Sequence, residues 1–319
     1  MRIPVIVVFA PTATGKTALL LNLFGKSSHS FFKDTAELIS ADSMQVYRKL
    51  DIGTAKPTFE ERGELIHHLI DICDYSQQFS AADFVSRADE LCREIHARGK
   101  IPVVAGGTGF YIRLFLLGLP ETPASDEALR EKLKVQCRRE GNEKMHALLE
   151  RVDPESAAKI HVNDEYRILR ALEVFYLTGK PRGSFAASGA LRDEFDFMTV
   201  ILRRGREELY RRIDARVEQM FSDGLEAEVR ALIAEGAQPD MPGMQAIGYR
   251  EWFSGDMTCT EGIREIKENI KHSSRKYAKK QYTFMQDIPG AHIVSAENDD
   301  CMFREFESCV GRFMQKNLK

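Results

Sequence analysis

Residues 3–17 read Ile-Pro-Val-Ile-Val-Val-Phe-Ala-Pro-Thr-Ala-Thr-Gly-Lys-Thr, and this stretch decides the fold. Positions 3–9 are aliphatic and β-branched with no polar break after Pro4, which suits a central parallel strand buried on both faces. Residues 16–24 continue as a helix with Leu19, Leu20 and Leu23 on its apolar side. Between strand and helix lies a phosphate loop: Ala10, Pro11, Thr12, Ala13, Thr14, Gly15, Lys16, Thr17. In that setting backbone N–H groups and the helix start cradle phosphates, Lys16 neutralises them, and the Thr17 hydroxyl reaches a Mg2+ ion. Ala10 stands where such loops usually carry glycine, a modest distortion of the turn. A chance Gly-Lys-Thr at a helix start is the bland alternative, and the flanking strand and helix weigh against it. The loop implies a diphosphate or triphosphate and leaves kinases, hydrolases, switches and a few transferases open.

Outward from the loop, residues 37–41 (ELISA) form a second strand ending at Asp42. Ser80 caps a helix running to about residue 96, with Phe84, Ala88, Leu91 and Ile95 at helical spacing. Residues 101–105 (IPVVA) are a third strand followed at once by Gly106, Gly107 and Gly109. Strand, turn and helix repeated in this way predict an α/β fold, a P-loop NTPase-like parallel sheet flanked by helices. The pattern changes after residue 118: helices are predicted over 126–139, 144–152 and 165–177, then a Gly/Ser-rich loop over 179–189, and strand character resumes over 198–202. The expected organisation is a catalytic core of 1–118 and 198–295, an all-helical insertion of 119–197 and a C-terminal helical tail of 296–319. Within the second core segment, amphipathic helices carry Leu209, Ile213, Val217 and Met220, then Leu225, Val229 and Leu232. A long basic helix spans about 260–284, followed by a strand over 292–294.

Asp42 lies at the carboxyl end of its strand, the edge that faces the ligand crevice in open α/β sheets. Such a carboxylate can sit beside Mg2+ or accept a proton from a nucleophile facing the phosphates; capping its own turn is the plainer reading. Gly106-Gly107-Thr108-Gly109 ends the third strand at the same edge, so three strand ends converge on one crevice. No strand ending in an Asp-Glu pair suggests a motor ATPase. His67 and His68 point to opposite faces and lack metal-ligand spacing, so they are read as structural. Between 264 and 280 seven Lys/Arg face two Glu, with Tyr277, Tyr282 and Phe284 interleaved, as expected of a phosphate-backbone contact with stacking groups. A solvated helix face is the alternative. Arg167 and Arg170 share a helix face, with ion pairs to Asp164 or Glu173 as the bland reading.

At 319 residues, 43% hydrophobic and 29% charged, the chain reads as globular, with no apolar run long enough to cross a bilayer. Six scattered cysteines without a CxxC pair fit reduced thiols and a cytoplasmic location. A net charge of −3 means that any polyanion partner is held by local basic patches.

With these pieces together the chain resembles the tRNA dimethylallyltransferases, or isopentenyl-tRNA transferases. The segments that carry the resemblance are APTATGKT, SADSMQVYRKLDIGTAKP (40–57), HHLID (67–71), FSAADF (79–84), GGTGFY (106–111), NDEYRILRALEV (163–174), a pattern RxxLYxRIxxRVxxM (206–220), AIGYRE (246–251) and RKYAKKQYTF (275–284). They follow the family order from residue 3 to about 285. The chain departs from the family pattern at Ala10, at Tyr166 in place of Gln and at Phe284 in place of Trp. The resemblance implies transfer of a dimethylallyl group from dimethylallyl diphosphate to N6 of the adenosine 3′ to a tRNA anticodon. It implies Asp42, Lys16, Thr17, Thr108 and Arg212 as catalytic residues, residues 10–17 as the diphosphate site and Thr17 as a ligand of Mg2+, the one cofactor. Implied contacts with the tRNA anticodon loop are Asp42, Ser43, Met44, Gln45 and Thr108; Arg130, Tyr166, Arg167 and Arg170; and Gln245, Gly248, Tyr249, Arg250, Arg275, Lys279, Lys280 and Gln281. A monomer without membrane attachment is expected. The rival readings are a P-loop small-molecule kinase, a non-enzymatic nucleotide-gated RNA-binding module and an enzyme that prenylates free adenine nucleotides.

Overall fold

The structure, a computed structural model, describes residues 2–185, 189–286 and 288–317. Strand β1 (Ile3–Phe9) leads into helix α1 (Lys16–Phe24), and β2 (Ala36–Ser40) is followed by α2 (Phe59–Glu64) and the two-residue strand β3 (His67–His68). Helix α3 (Ala81–Ala97) returns to β4 (Ile101–Gly106), after which comes α4 (Gly109–Leu117). Then come α5 (Glu127–Glu140), α6 (Asn142–Val152), α7 (Pro154–Lys159) and α8 (Glu165–Thr178) with no strand among them. Sheet structure resumes with β5 (Phe195–Arg203), followed by α9 (Arg206–Ser222), α10 (Leu225–Ala234), α11 (Thr260–Met285), β6 (His292–Ser295) and α12 (Asp299–Asn317).

The six strands form one sheet in the order β3-β2-β4-β1-β5-β6, and every neighbouring pair is parallel. β1 is central because its side chains are apolar on both faces: every residue after Ile3 is buried. Ile6 and Val8 pack with Leu19, Leu20 and Leu23 of α1 in the core on one side of the sheet. α12 completes that core with Met302, Phe306, Val310 and Phe313. The expected separate tail is therefore a correction: α12 belongs to the same compact unit as the sheet.

The chain divides into two units, residues 1–116 with 191–319, and residues 117–190. The second is all-helical, with a core of its own formed by Leu133, Cys137, Met145, Leu149, Ile168, Leu169 and Leu172. Its end at 190 corrects the expected 197, because β5 starts at Phe195. Asp196 had masked that start; its carboxylate accepts from Lys316 and Asn317 of α12, which permits a charge inside the strand.

Parallel pairing brings the carboxyl ends of β1, β2 and β4 to one edge, and hydrogen bonds knit their loops together. The Ala10 N–H donates to the Gly106 carbonyl at 3.2 Å, and Ala41 N–H to Ala105 at 2.9 Å. The Thr108 N–H donates to the Ala41 carbonyl at 3.1 Å. A Cβ on Gly106 would run into the Ala41 carbonyl, so only glycine permits this approach.

Candidate active site

The loop after β1 turns sharply at Ala13 (φ 62°) and Gly15 (φ 105°), both left-handed, and delivers Lys16 to the first position of α1. The N–H groups of Lys16, Thr17 and Ala18 open the helix without intrahelical partners and no side chain caps them, an arrangement suited to an anion. Ala10 is absent from the residues with positive φ, so an alanine side chain costs the turn nothing there. Within the loop not every N–H is free. Thr14 is buried, its hydroxyl donating to the Pro11 carbonyl at 2.8 Å and its N–H pointing to the same carbonyl. The Thr12 N–H donates to Gln281 Oε1 at 3.2 Å. Thr14 is thus committed to holding the loop, a correction to the expectation that all of residues 10–17 face the diphosphate, whereas Thr12 still lines the cavity with its N–H engaged.

The loop opens on a cavity of about 540 Å3. Its lining combines polar Lys16, Thr17, Asp42, Arg212, Arg216 and Arg250 with apolar Ile213, Val217, Met220, Ile247 and Ile270. Arg212 and Arg216 lie one turn apart on α9, and Arg212 Nε donates to the Ala13 carbonyl at 3.0 Å, fixing that helix against the phosphate loop. Lys16 and Arg216 have no ion pair or hydrogen bond with a side chain among the described residues. Burial lowers the Lys16 pKa; Asp42 pulls against that shift, and the Arg216 guanidinium adds to it. Arg216 is pushed down by burial against the pull of Asp42. With Arg250 paired to Glu251, Lys16, Arg212 and Arg216 facing one carboxylate still leave the cavity short of negative charge. A diphosphate supplies what is missing.

Asp42 Oδ1 accepts the N–H groups of Met44 at 2.9 Å and Gln45 at 3.3 Å, the turn-capping geometry, and its carboxylate still lines the cavity. Ser43 and Met44 line it beside Asp42. Thr108 is not among the lining residues: its hydroxyl oxygen accepts the Ser43 N–H at 3.0 Å and so props the Asp42 loop. Tyr277 enters the cavity from α11 and its hydroxyl is pushed up to about 12, by burial first and then by Asp42. Tyr277 was expected only as one of several stacking aromatics. Tyr282 instead donates to the Arg204 carbonyl at 2.6 Å, and Phe284 packs on Gly109.

Several expected tRNA contacts are occupied internally. Gln45 donates from Nε2 to the carbonyls of Thr54 and Ala55 at 3.3 and 3.2 Å, and its Oε1 accepts from Ser40. Gln281 is buried and bolts two loops together, donating to the Gly107 carbonyl at 2.7 Å while accepting from Thr12. Tyr249 is fully buried, and the Gly248 N–H donates to Glu251 at 2.9 Å. Gln245 lines the cavity and donates to the Pro239 carbonyl, and Arg250 lines it while pairing with Glu251 at 3.1 Å. On α11, Lys271 pairs with Glu218 and Glu268, and Arg275 holds Asp214 through both oxygens at 2.7 Å. Lys276, Lys279 and Lys280 have no ion pair among the described residues and are exposed. The expected continuous basic stripe is therefore reduced to this terminal cluster, because α9 supplies acids to its first half.

In the helical unit, Glu173 is fully buried and accepts from Ser125 Oγ at 2.7 Å, Asp126 N–H at 2.8 Å, Arg170 at 2.8 Å and Arg130 at 3.3 Å. Arg130 and Arg170 thus turn inward to one carboxylate. Arg167 is exposed with Asp164 at 3.3 Å, and Tyr166 is 69% exposed with the Arg130 guanidinium over its ring.

Arg216 and Lys56 stand in the quoted motifs but were not singled out as site residues. Arg216 could have been found from its spacing of four to Arg212. Lys56 Nζ, almost wholly buried, donates to the Tyr47 carbonyl at 2.9 Å and pairs with Asp51 and Asp71 at 2.5 and 2.6 Å, fastening the Asp42 loop from behind. The histidines are structural, as expected. His67 is pushed down to about 4 by burial and by the Lys16 charge, and its Nδ1–H donates to Leu65; His68 pairs with Glu37 at 2.7 Å.

No group of three or more His, Cys, Asp or Glu that could hold a metal occurs among the described residues. Thr17 lines the cavity with its hydroxyl unpartnered there, which fits a hard cation carried mainly by substrate oxygens. No described helix is long and apolar enough to cross a membrane.

The family model described as IPP transferase matches residues 45–287. A tRNA dimethylallyltransferase 2 of Geotalea uraniireducens is 42% identical over 287 residues, 89% of this chain and 89% of that protein. The tRNA dimethylallyltransferase of Geobacter sulfurreducens is 41% identical over 288 residues with the same coverage of each. Among solved structures, the full-length tRNA isopentenylpyrophosphate transferase of Bacillus halodurans is similar with a TM-score of 0.68 and 34% identity, covering 99% of this chain and 98% of its own. A eukaryotic dimethylallyltransferase described as acting on tRNA gives 0.78 at 27% identity, covering 94% of this chain and 75% of that one.

Proposed function

This chain belongs to the IPP transferase family, and on that footing we propose that it transfers a dimethylallyl group from dimethylallyl diphosphate to N6 of the adenosine 3′ to a tRNA anticodon, releasing diphosphate. The observation that carries the reading is the single cavity in which Lys16, Arg212 and Arg216 face Asp42 beside an apolar wall. An allylic diphosphate has both characters: a polyanionic head and a five-carbon hydrocarbon tail. A kinase site would need a place for a nucleoside, and the wall of Ile213, Val217, Met220, Ile247 and Ile270 favours a hydrocarbon instead.

The orphan N–H groups at the start of α1, with Lys16, Arg212 and Arg216, hold the diphosphate and stabilise the charge that gathers on it as the carbon–oxygen bond breaks. Thr17 would hold Mg2+ together with diphosphate oxygens, and the ion would supply further neutralisation of the leaving group. The allylic carbon gains positive character, and the exocyclic amine forms the new C–N bond with its lone pair. The Asp42 carboxylate accepts the proton that the amine loses. An adenine stacked in an anticodon loop has to leave the stack to reach Asp42, at a cost of a few kcal/mol that backbone contacts offset. Lys276, Lys279 and Lys280 of the core and Arg167 and Tyr166 of the helical unit are the groups with free surface for such contacts.

The test is incubation with bulk tRNA, Mg2+ and dimethylallyl diphosphate labelled in the prenyl group, then nucleoside analysis of the digested RNA. Label in N6-dimethylallyladenosine next to the anticodon is the expected result. Label in free adenine nucleotides alone, or phosphate transfer from ATP without prenylation, would overturn the proposal.

A further inference from the structure

Glu228 lies in the first turn of α10, within the span of the family match but outside the motifs quoted from the sequence and outside the cavity lining. Its carboxylate nonetheless gathers four donors. Oε2 accepts the N–H groups of Asp51 at 3.1 Å and Ile52 at 2.9 Å. Oε1 accepts the Gly53 N–H at 3.3 Å and the Tyr249 hydroxyl at 2.6 Å. Three successive backbone N–H groups on one carboxylate leave that segment little freedom, and bonds to an ionised acceptor are the strong ones. The Tyr249 ring seals the arrangement: a Cβ on Gly53 would lie 2.5 Å from it, so the backbone rests directly against the ring.

The contacts run on towards the cavity. The next two carbonyls, of Thr54 and Ala55, receive both N–H groups of the Gln45 amide. Gln45 in turn donates its backbone N–H to Asp42 Oδ1. From Glu228 to the proton-accepting carboxylate the path is therefore unbroken, through hydrogen bonds and one short stretch of backbone.

We propose that Glu228 is a positioning residue for prenyl transfer: by clamping residues 51–53 it sets the carbonyls that hold Gln45, and through Gln45 the place of Asp42 opposite the phosphate loop. The proposal rests on the reading of Asp42 given above. It assigns a mechanistic purpose to a carboxylate that touches no substrate. A helix-to-loop staple with no such purpose would affect folding stability alone.

Glu228→Gln keeps the shape and removes the charge, and three readouts decide its meaning. With tRNA and dimethylallyl diphosphate both saturating, kcat should fall between about 10- and 100-fold, the scale of a misplaced reacting group, while tRNA affinity stays within about twofold. Gln45→Leu should lower kcat as well, and the double variant should be no slower than the slower single one, because both break one chain of contacts. Amide hydrogen exchange at Met44 and Gln45 should accelerate in Glu228→Gln. If the variant folds poorly, Tyr249→Phe removes one donor and keeps the ring, and should show the same pattern at smaller scale. Wild-type kcat in folded Glu228→Gln, or single effects that multiply, would overturn the proposal. Failure of the wild type to prenylate tRNA would sink the functional reading instead. Unchanged exchange at Met44 and Gln45 would still refute the positioning role independently.

Discussion

Asp42 and Lys16 face each other across one cavity and carry separable tasks. Asp42→Ala should keep tRNA affinity within about threefold and lower turnover by about 10²–10⁴, the range for a lost general base. Single-turnover prenyl transfer checks this, and a near-normal rate would remove Asp42 from the chemistry. For Lys16 the sign of a pH effect follows from its surroundings. In the free protein burial and Arg216 hold its pKa below that of an ordinary lysine, against the pull of Asp42. A diphosphate binds the protonated form better, so affinity should fall as pH rises through the lowered pKa. Titration of an unreactive thiolo-diphosphate analogue between about pH 7 and pH 10 measures it, and Lys16→Arg should flatten the profile because a guanidinium stays charged there. An equal fall in Lys16→Arg would assign the effect to another group.

At the scale of elements, α11 divides into two halves. Its first half is tied to α9 through Lys267, Lys271 and Arg275, whereas Lys276, Lys279 and Lys280 are free to follow a phosphate path. Lys279→Ala with Lys280→Ala should flatten the log–log salt dependence of tRNA affinity by somewhat under two units, at about 0.7–0.9 per phosphate contact. The rate at saturating tRNA should change little. An unchanged slope would make this a solvated face. In the helical unit, the Glu173 carboxylate anchors the start of α5 to α8. Burial works against its charge, but Arg170, Ser125 and the Asp126 N–H outweigh it and hold its pKa below the usual glutamate value. A depressed carboxylate stabilises above its unfolded pKa, and the contribution is lost as pH falls through the folded one. Glu173→Ala should cost this unit about 1.5–3 kcal/mol, read from hydrogen exchange of α5 and α8. Exchange rates equal to wild type would show that the ion pairs contribute nothing.

Across the whole molecule, the parts that could be read in the sequence are those where local pattern and tertiary role coincide. The uninterrupted apolar run of β1 can only be buried, and the loop after it can only face the sheet edge; Asp42 follows from the same topological rule. Polar side chains are different, since their identity does not say whether they meet a ligand or a neighbouring loop. Gln45, Gln281 and Tyr249 were all expected to face RNA, and each has side-chain bonds to a neighbouring loop, near in the chain for Gln45 and far for Gln281 and Tyr249, while Gln45 and Gln281 also line the cavity. Arg130 and Arg275 likewise look free until the acids that fold against them are known, whereas the pairs Arg170–Glu173 and Arg167–Asp164 were legible as helical spacings. Arg216 was visible as a spacing but not as a neighbour of Lys16. The central claim is that one cavity seats an allylic diphosphate on the phosphate loop while tRNA is held elsewhere. The measurement that tests it most directly is the affinity of Lys16→Ala and Thr17→Ala for labelled dimethylallyl diphosphate, beside their affinity for tRNA. The account predicts loss of diphosphate binding with tRNA binding retained, and the reverse result, tRNA binding lost and diphosphate affinity kept, would contradict it.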